Sequence, residues 1–223
     1  MDLLYEQNSS DCSDTERSDI ENVIRNDLKD AICHGILVSN LAYLLAKELH
    51  MELEYCHTMA EAGMVHDIGK LKLSRYLYGR RKDTMLVEEM KYVRMHPDFG
   101  YQILKEHHYS ETILKAIYHH HENYDGSGYP DNLKGIEIPW GARILRVCDV
   151  FAALISVRPY RDAFELEEAM ELMIDEIKNF DMQVFLAFQR VVHSAEFLSI
   201  QEGSSLISLD KLKINEYNHN NSF

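Results

Sequence analysis

The chain has 223 residues, 46% of them hydrophobic, which is enough to bury the core of a single domain. Its formal net charge of −14 argues against a broad nucleic-acid surface, because a phosphate backbone attracts basic faces, and we expect no DNA partner. No apolar run approaches the ~20 residues that a membrane-spanning helix requires, and the four cysteines form no C-x-x-C pair. A cytoplasmic chain with reduced thiols and no membrane partner is therefore expected.

Apolar residues recur at helical spacing along most of the chain, and this pattern predicts an all-α fold. The first series runs over residues 20–45, and later series run over residues 166–177 and 184–192. The sequence shows no alternating strand pattern. We therefore predict a helical domain between a flexible acidic N-terminal tail and a polar C-terminal tail, with bounds of 1–19, 20–198 and 199–223.

Proline and glycine mark the predicted ends of these helices. Pro97 can open a helix, and Pro159 is expected to end the helix that begins near Trp140. Between them, residues 126–139 are rich in glycine, proline and polar residues, which predicts a long loop.

Polar residues within the apolar helices indicate metal ligands. Asp30 and His34 are four residues apart and share one helix face. Asp149 lies in the apolar segment ARILRVCDVFAAL, where an unpaired carboxylate would be costly. His66 and Asp67 are adjacent and cannot point the same way on a helix, so they suit two neighbouring ions with the carboxylate as bridge.

Each feature also has a plainer structural interpretation. A lone histidine on a helix is more often a hydrogen-bonded structural residue, and Asp30 with His34 could be an exposed pair. The full set nevertheless favours a multinuclear centre, because five imidazoles and two or three carboxylates without a sulfur ligand suit hard-to-borderline ions. Structural roles are expected for His50, His57, His107, His108 and His193, while His119 stays unassigned.

Five short motifs occur in order along the chain: HDIGK (66–70), HPDFG (96–100), HHENYDGSGYP (120–130), ARILRVCDVFAAL (142–154) and RPYR (158–161). Together they resemble the HD-GYP subclass of the HD-domain phosphohydrolases, over roughly residues 25 to 190. The resemblance implies an all-α HD-domain helical bundle with a long GYP loop. It also implies a metal-dependent phosphodiesterase that opens the bacterial second messenger cyclic di-GMP to pGpG, and sometimes on to GMP.

The resemblance further implies a metal cage with Asp67 as the bridge, formed by His34, His66, Asp67, His96, His120, His121 and Asp149. Some members carry a glutamate one turn before the first histidine that permits a third metal, and this chain has the shorter Asp30 there. Two divalent ions, iron or manganese, are therefore expected, and a third depends on Asp30.

The same resemblance assigns the substrate side of the site. Lys70 matches the lysine expected near the scissile phosphate, where it would stabilise charge on the nonbridging oxygens. Asp67 would hold two ions that lower the pKa of a bridging water. Tyr129, Arg158 and Arg161 would lie toward the nucleotide.

Two departures from the family pattern bear on activity. Ala152 stands where the family has a second aspartate, three residues after Asp149, and that aspartate is expected near the phosphate and Lys70. The segment between Lys70 and His96 also differs from the usual connection. Its basic residues could form a lip over the site or a solvated loop, and they are Arg75, Arg80, Arg81 and Lys82.

Three functions therefore remain open. The first is a cyclic di-GMP phosphodiesterase, the second an HD-type hydrolase of another nucleotide or phosphoester, and the third a weakly active or inactive cyclic-dinucleotide-binding regulator. The intact Gly-Tyr-Pro motif favours the first over the second, and the near-complete metal cage favours it over the third. Because no receiver or membrane sensor fits before residue 20, any regulation is expected to come from a separate regulatory protein or from the substrate itself.

Overall fold

The computed structural model describes residues 14–73, 91–157 and 161–206, and it confirms the all-α prediction. Its α-helices are α1 (Asp14–Glu48), α2 (Leu53–Val65), α3 (His96–Glu106), α4 (Glu111–Tyr118), α5 (Trp140–Leu154), α6 (Leu166–Asp175), α7 (Met182–Val192) and α8 (Ala195–Leu206). Short 3-10 helices cover Ile68–Leu73, Gly135–Glu137 and Ile177–Asn179.

Helix α1 is the central element of the bundle. It packs most extensively against α2 and also against α5 and α7. Val38, Leu41 and Leu45 of α1 are fully buried, and burying each aliphatic side chain contributes about 1.5–3 kcal/mol to folding. The C-terminal half of α1 is therefore fixed by apolar packing, which also holds His34 at the edge of the core.

Several helix ends differ from the sequence prediction. Helix α1 begins at Asp14, inside the predicted tail over residues 1–19, and α8 extends to Leu206, past the predicted boundary at 198. Helix α5 ends at Leu154, before Pro159, which lies outside the described residues. Pro97 lies in the first turn of α3, as predicted.

One segment meets the length and composition expected of a membrane span, contrary to the sequence prediction. Residues 25–48 of α1 have a mean hydropathy of 1.2 over an 18-residue window, 39% of which is buried inside the protein. Core helices of soluble proteins pass the same test, and this helix contributes Leu41 and Leu45 to the hydrophobic core. Packing within the bundle accounts for these buried residues, whereas Leu28, Ile32 and Ile36 of the same helix are exposed.

The residues after α2 are held tightly against α3. Gly69 follows the His66–Asp67 pair, and a Cβ atom there would collide with the carbonyl oxygen of His96. Glycine at this position therefore lets the short 3-10 helix approach the start of α3 closely enough to bring Asp67 and His96 together.

Candidate metal centre

Three histidines share one orientation at the centre of the bundle. In His66, His96 and His120, the Nδ1 atom donates a hydrogen bond to the carbonyl oxygen three residues earlier. The acceptors and distances are Gly63 at 2.8 Å, Val93 at 2.7 Å and Ile117 at 2.6 Å. Because a carbonyl oxygen only accepts, each Nδ1 carries the proton, and Nε2 presents a lone pair when the ring is neutral.

Three ligand atoms from other residues lie close to the Nε2 atom of His96. Its Nε2 atom lies 3.2 Å from His120 Nε2, 3.1 Å from His121 Nε2 and 3.2 Å from Asp67 Oδ1. When the His96 and His120 rings are neutral, their Nε2 atoms and the Asp67 oxygen are all acceptors, and buried acceptors need a donor or a cation. The donor set therefore fits a divalent ion.

A second cluster lies beside the first, on Asp149. Its Oδ1 atom lies 3.0 Å from His34 Nε2 and 3.5 Å from His66 Nε2. The buried Nε2 of His66 has no hydrogen-bond partner among the described residues. Such an unpartnered buried atom is the second indication that a cation belongs here.

Among the described residues, three groups have donor atoms within 4.8 Å of one another: His96, His120 and His121; His34, His66 and Asp149; and His66, Asp67 and His120. The third group shares members with both others. Asp67 Oδ1 faces His96 at 3.2 Å, while Oδ2 faces His66 at 3.5 Å. One carboxylate oxygen thus faces each cluster, which is the arrangement of a bridging ligand.

Neighbouring groups lower the pKa values of the two carboxylates in the candidate metal centre. Burial alone raises the pKa of Asp67, but the charges of Lys70 and His66 lower it well below the usual range. Burial also raises the pKa of Asp149, but the hydrogen bond from His34 and the positive charge of His66 lower it well below the usual range. Both carboxylates are therefore ionised at neutral pH.

The histidines differ in protonation. Burial lowers the pKa of His121 to about 3, so its ring is neutral and ready to bind a cation. Burial also lowers the pKa of His66, but Asp67 and Asp149 raise it to about 9. Without an ion, a proton on His66 balances the two carboxylates, and a metal ion would take the place of that proton.

Lys70 lies beside the bridging carboxylate. Its Nζ atom is 2.5 Å from Asp67 Oδ2, and its side chain is 33% exposed. The ammonium group therefore stands between the candidate metal centre and solvent, where a phosphate group could reach it.

The GYP loop covers the centre through Tyr129. The tyrosine ring stacks on His121 with centroids 4.8 Å apart and an interplanar angle of 23°. The loop is tied down by Glu122, a buried carboxylate that accepts hydrogen bonds from the backbone N–H groups of Asp131 at 2.7 Å and Leu133 at 3.1 Å. Sequence reasoning missed Glu122, although its place directly after His121 was a signal.

Other predicted site residues lie apart from these groups. Asp30 is exposed and belongs to none of the three groups. Arg161 donates hydrogen bonds to the carbonyl oxygens of Leu154 at 3.1 Å and Ala153 at 2.8 Å, at the C-terminal end of α5. Ala152 is fully buried in the hydrophobic core. The residues predicted as substrate ligand or basic lip that lie outside the described ranges are Arg158, Arg75, Arg80, Arg81 and Lys82.

Comparison with known families agrees with this fold. The family model described as HD domain matches residues 8–184, and the chain belongs to the HD-domain family. Within that family it is of the HD-GYP type, as its ordered motifs and its relatives show.

Two curated relatives and one solved structure illustrate the similarity. The chain is 36% identical over 135 residues, 60% of its length, to "Cyclic di-GMP phosphodiesterase response regulator RpfG" of Xanthomonas campestris pv. campestris. It is 33% identical over 171 residues, 76% of its length, to "3'3'-cGAMP-specific phosphodiesterase 1" of Vibrio cholerae serotype O1. The solved structure of the HD-GYP protein Bd1817 from Bdellovibrio bacteriovorus has the same fold, with a TM-score of 0.61 and 22% sequence identity. The superposition covers 82% of this chain and 58% of the Bd1817 chain.

The matched region is a minor part of each curated relative. It spans 35% of RpfG and 39% of the Vibrio cholerae enzyme. The chain therefore matches well under half the length of each of these two relatives.

Proposed function

We propose that this chain is a metal-dependent phosphodiesterase that hydrolyses cyclic di-GMP to pGpG, which can be cleaved further to GMP. The observation that carries the proposal is the presence of a donor cluster on each side of Asp67, with a third group that contains Asp67 and shares a member with each cluster. The names of relatives that align with this domain, cyclic di-GMP and cGAMP phosphodiesterases, support the substrate class.

Two divalent ions, iron or manganese, would be held by His34, His66, Asp67, His96, His120, His121 and Asp149. Bound ions supply Lewis acidity and lower the pKa of a coordinated water. Imidazole and carboxylate donors suit such ions. The Nδ1 hydrogen bonds fix the ring orientations of His66, His96 and His120. The exposed Asp30 would take part only in a third site.

The protein's own residues position the phosphodiester. The Lys70 ammonium group lies 2.5 Å from Asp67, and from this position it would stabilise the negative charge that develops on the nonbridging phosphate oxygens. Tyr129 forms the wall beside His121 and directs the nucleotide toward the ions. Arg158 and Arg161 remain proposed nucleotide contacts, although Arg161 would have to exchange its carbonyl partners for the ligand.

The proposed setting is the cytoplasm, with a separate regulatory protein as partner. Scattered cysteines without a C-x-x-C pair support a reducing compartment. The regulatory partner stays a proposal without a contact surface assigned to it.

A binding protein with little turnover is the second candidate function. The observation that favours it is Ala152, which supplies no carboxylate where the family has its second aspartate and is fully buried. Such a chain would keep the ions and the ligand while hydrolysing it slowly.

The proposal is tested by incubating the anaerobically prepared, iron- or manganese-loaded protein with cyclic di-GMP and 3'3'-cGAMP and separating the products by chromatography. We expect pGpG from cyclic di-GMP, and no product from a His121→Ala variant. If the fully metal-loaded protein binds cyclic di-GMP but forms no product, the second candidate function, a binding protein, would be the correct one. Cleavage of simple aryl phosphodiesters with no effect of either dinucleotide would indicate another substrate.

A further inference from the structure

Two arginines one turn apart on α5 differ in how their donors are used. Arg143 donates from Nε to the carbonyl of Ile138 at 2.8 Å, from Nη1 to Asp181 at 3.0 Å and from Nη2 to the carbonyl of Ile136 at 3.1 Å. Arg146 is also partly buried, but only its Nε atom has an acceptor among the described residues, the Oδ1 atom of Asn123 at 3.0 Å. The Nη groups of Arg146 are therefore available to a ligand.

Arg146 lies beside the candidate metal centre. It precedes Asp149 by three residues on the same face of α5, and Asn123 follows the paired histidines by two residues. Burial raises the pKa of Tyr129, and the positive charge of Arg146 opposes that shift, so the guanidinium is near the tyrosine that stacks on His121.

The orientation of this guanidinium is set by a chain of hydrogen bonds into the GYP loop. Asn123 Nδ2 donates to Ser127 Oγ at 2.9 Å, and the Ser127 hydroxyl donates to Asp125 at 2.6 Å. An arginine held by one edge presents its remaining N–H groups as a preorganised fork, which matches the oxygens of a phosphate.

A cyclic dinucleotide carries a second phosphate that the proposed metal centre would not bind. It contains two phosphodiesters, and only the one that is cleaved is placed at the ions and Lys70. The other must enter a chain with a formal net charge of −14, where an unpaired anion is unfavourable. A second, separate positive centre near Tyr129 would satisfy it.

We infer that Arg146 is a substrate-binding residue whose Nη groups hold the phosphodiester that is not cleaved. This inference rests on the proposed function and specifies it, because it assigns recognition of the second phosphate to one residue. Arg146 thereby distinguishes a cyclic dinucleotide from a ligand with a single phosphodiester.

The test compares cyclic di-GMP with GpG, which keeps both guanines and one phosphodiester but lacks the second phosphate. KM for cyclic di-GMP and the inhibition constant of GpG are measured in the same assay, on metal-loaded wild type and Arg146→Gln. We expect Arg146→Gln to raise KM for cyclic di-GMP about 10- to 100-fold, the range for loss of a charged hydrogen-bonded contact. The inhibition constant of GpG should change at least tenfold less.

Arg143→Gln is the matched control, since it removes a neighbouring arginine whose donors are already used within the protein. It is expected to lower the melting temperature without changing the ratio of the two constants. Arg146→Lys keeps the charge but loses the fork, so it should raise KM by a smaller factor, and it carries the test if the glutamine variant does not fold.

The outcomes separate the inference from the proposed function. An equal change for cyclic di-GMP and GpG would overturn the inference in favour of base recognition or loop anchoring through Asn123. An unchanged KM in Arg146→Gln would overturn it outright, while wild-type turnover would leave the phosphodiesterase standing. A wild type that neither cleaves nor binds any cyclic dinucleotide would contradict the proposed function and the inference together.

Discussion

The Asp67 carboxylate lies 2.5 Å from the Lys70 ammonium group, three residues later in the chain. This pair couples the candidate metal centre to the place where a phosphate would enter. The lysine lowers the pKa of Asp67 and is itself held in position, so one ion pair serves both the ligand set and the substrate side.

The first prediction concerns this lysine. Lys70→Ala should lower kcat for cyclic di-GMP by about 10²–10³, because a cation that stabilises developing phosphate charge is lost. Metal content should be unchanged, since the histidine and aspartate donors remain. Lys72→Ala is the control, because Lys72 is exposed and its Nζ lies 5.4 Å from the ring centroid of Phe99. A wild-type rate in Lys70→Ala would show that Lys70 takes no part in the reaction.

The second prediction concerns the bridge. Asp67→Asn should reduce metal content to one ion or fewer per chain, measured by elemental analysis, because an amide oxygen is a weaker ligand and carries no charge. Asp98→Asn is the matched control, since Asp98 accepts a hydrogen bond from Gln102 at 2.8 Å and belongs to none of the donor groups. Equal metal content in the two variants would exclude Asp67 as the bridge.

The third prediction concerns the anchor of the GYP loop. Glu122→Ala should lower the free energy of unfolding by about 1–3 kcal/mol, because two backbone N–H groups lose a charged acceptor. Urea unfolding measures this change. Glu137→Ala is the comparison, since Glu137 is exposed and accepts one hydrogen bond, from the backbone N–H of Lys134. Similar small losses in both variants would show that Glu122 does not anchor the loop.

The fourth prediction concerns pH. A metal ion must displace the proton from His66 Nε2, and the pKa of that group is about 9 in the metal-free chain. Below this value, apparent metal affinity should rise with pH by up to tenfold per unit for each proton released, and it should level off above pH 9. Titration with Mn²⁺ in buffers from pH 6 to 8 measures the slope. An affinity independent of pH over that range would contradict the proposed role of His66.

The ordered motifs contain most of the histidines and aspartates whose donor atoms lie close together in the structure. Adjacent His66 and Asp67 indicated a bridge, and the structure brings Asp67 between the two clusters. The directions of the arginine side chains were not predictable, because they depend on contacts made by the folded chain. Arg161 lies in a matching motif but donates hydrogen bonds to carbonyl oxygens at the end of α5. Arg146 lies within an apolar helix and was not predicted as a site residue.

The buried position of Ala152 was also outside the reach of helical periodicity. Residue 152 lies three positions after Asp149 on α5, and the structure buries its methyl group in the hydrophobic core. A face that carries a ligand at one turn can be covered by packing helices at the next, and only tertiary structure decides which.

The number of ions per chain tests the two-ion centre most directly. Protein prepared anaerobically with iron and manganese supplied should contain two divalent ions per chain by elemental analysis, because donor clusters on both sides of Asp67 each have the atoms to hold one. One ion or none per chain in such a preparation would contradict the bridged centre.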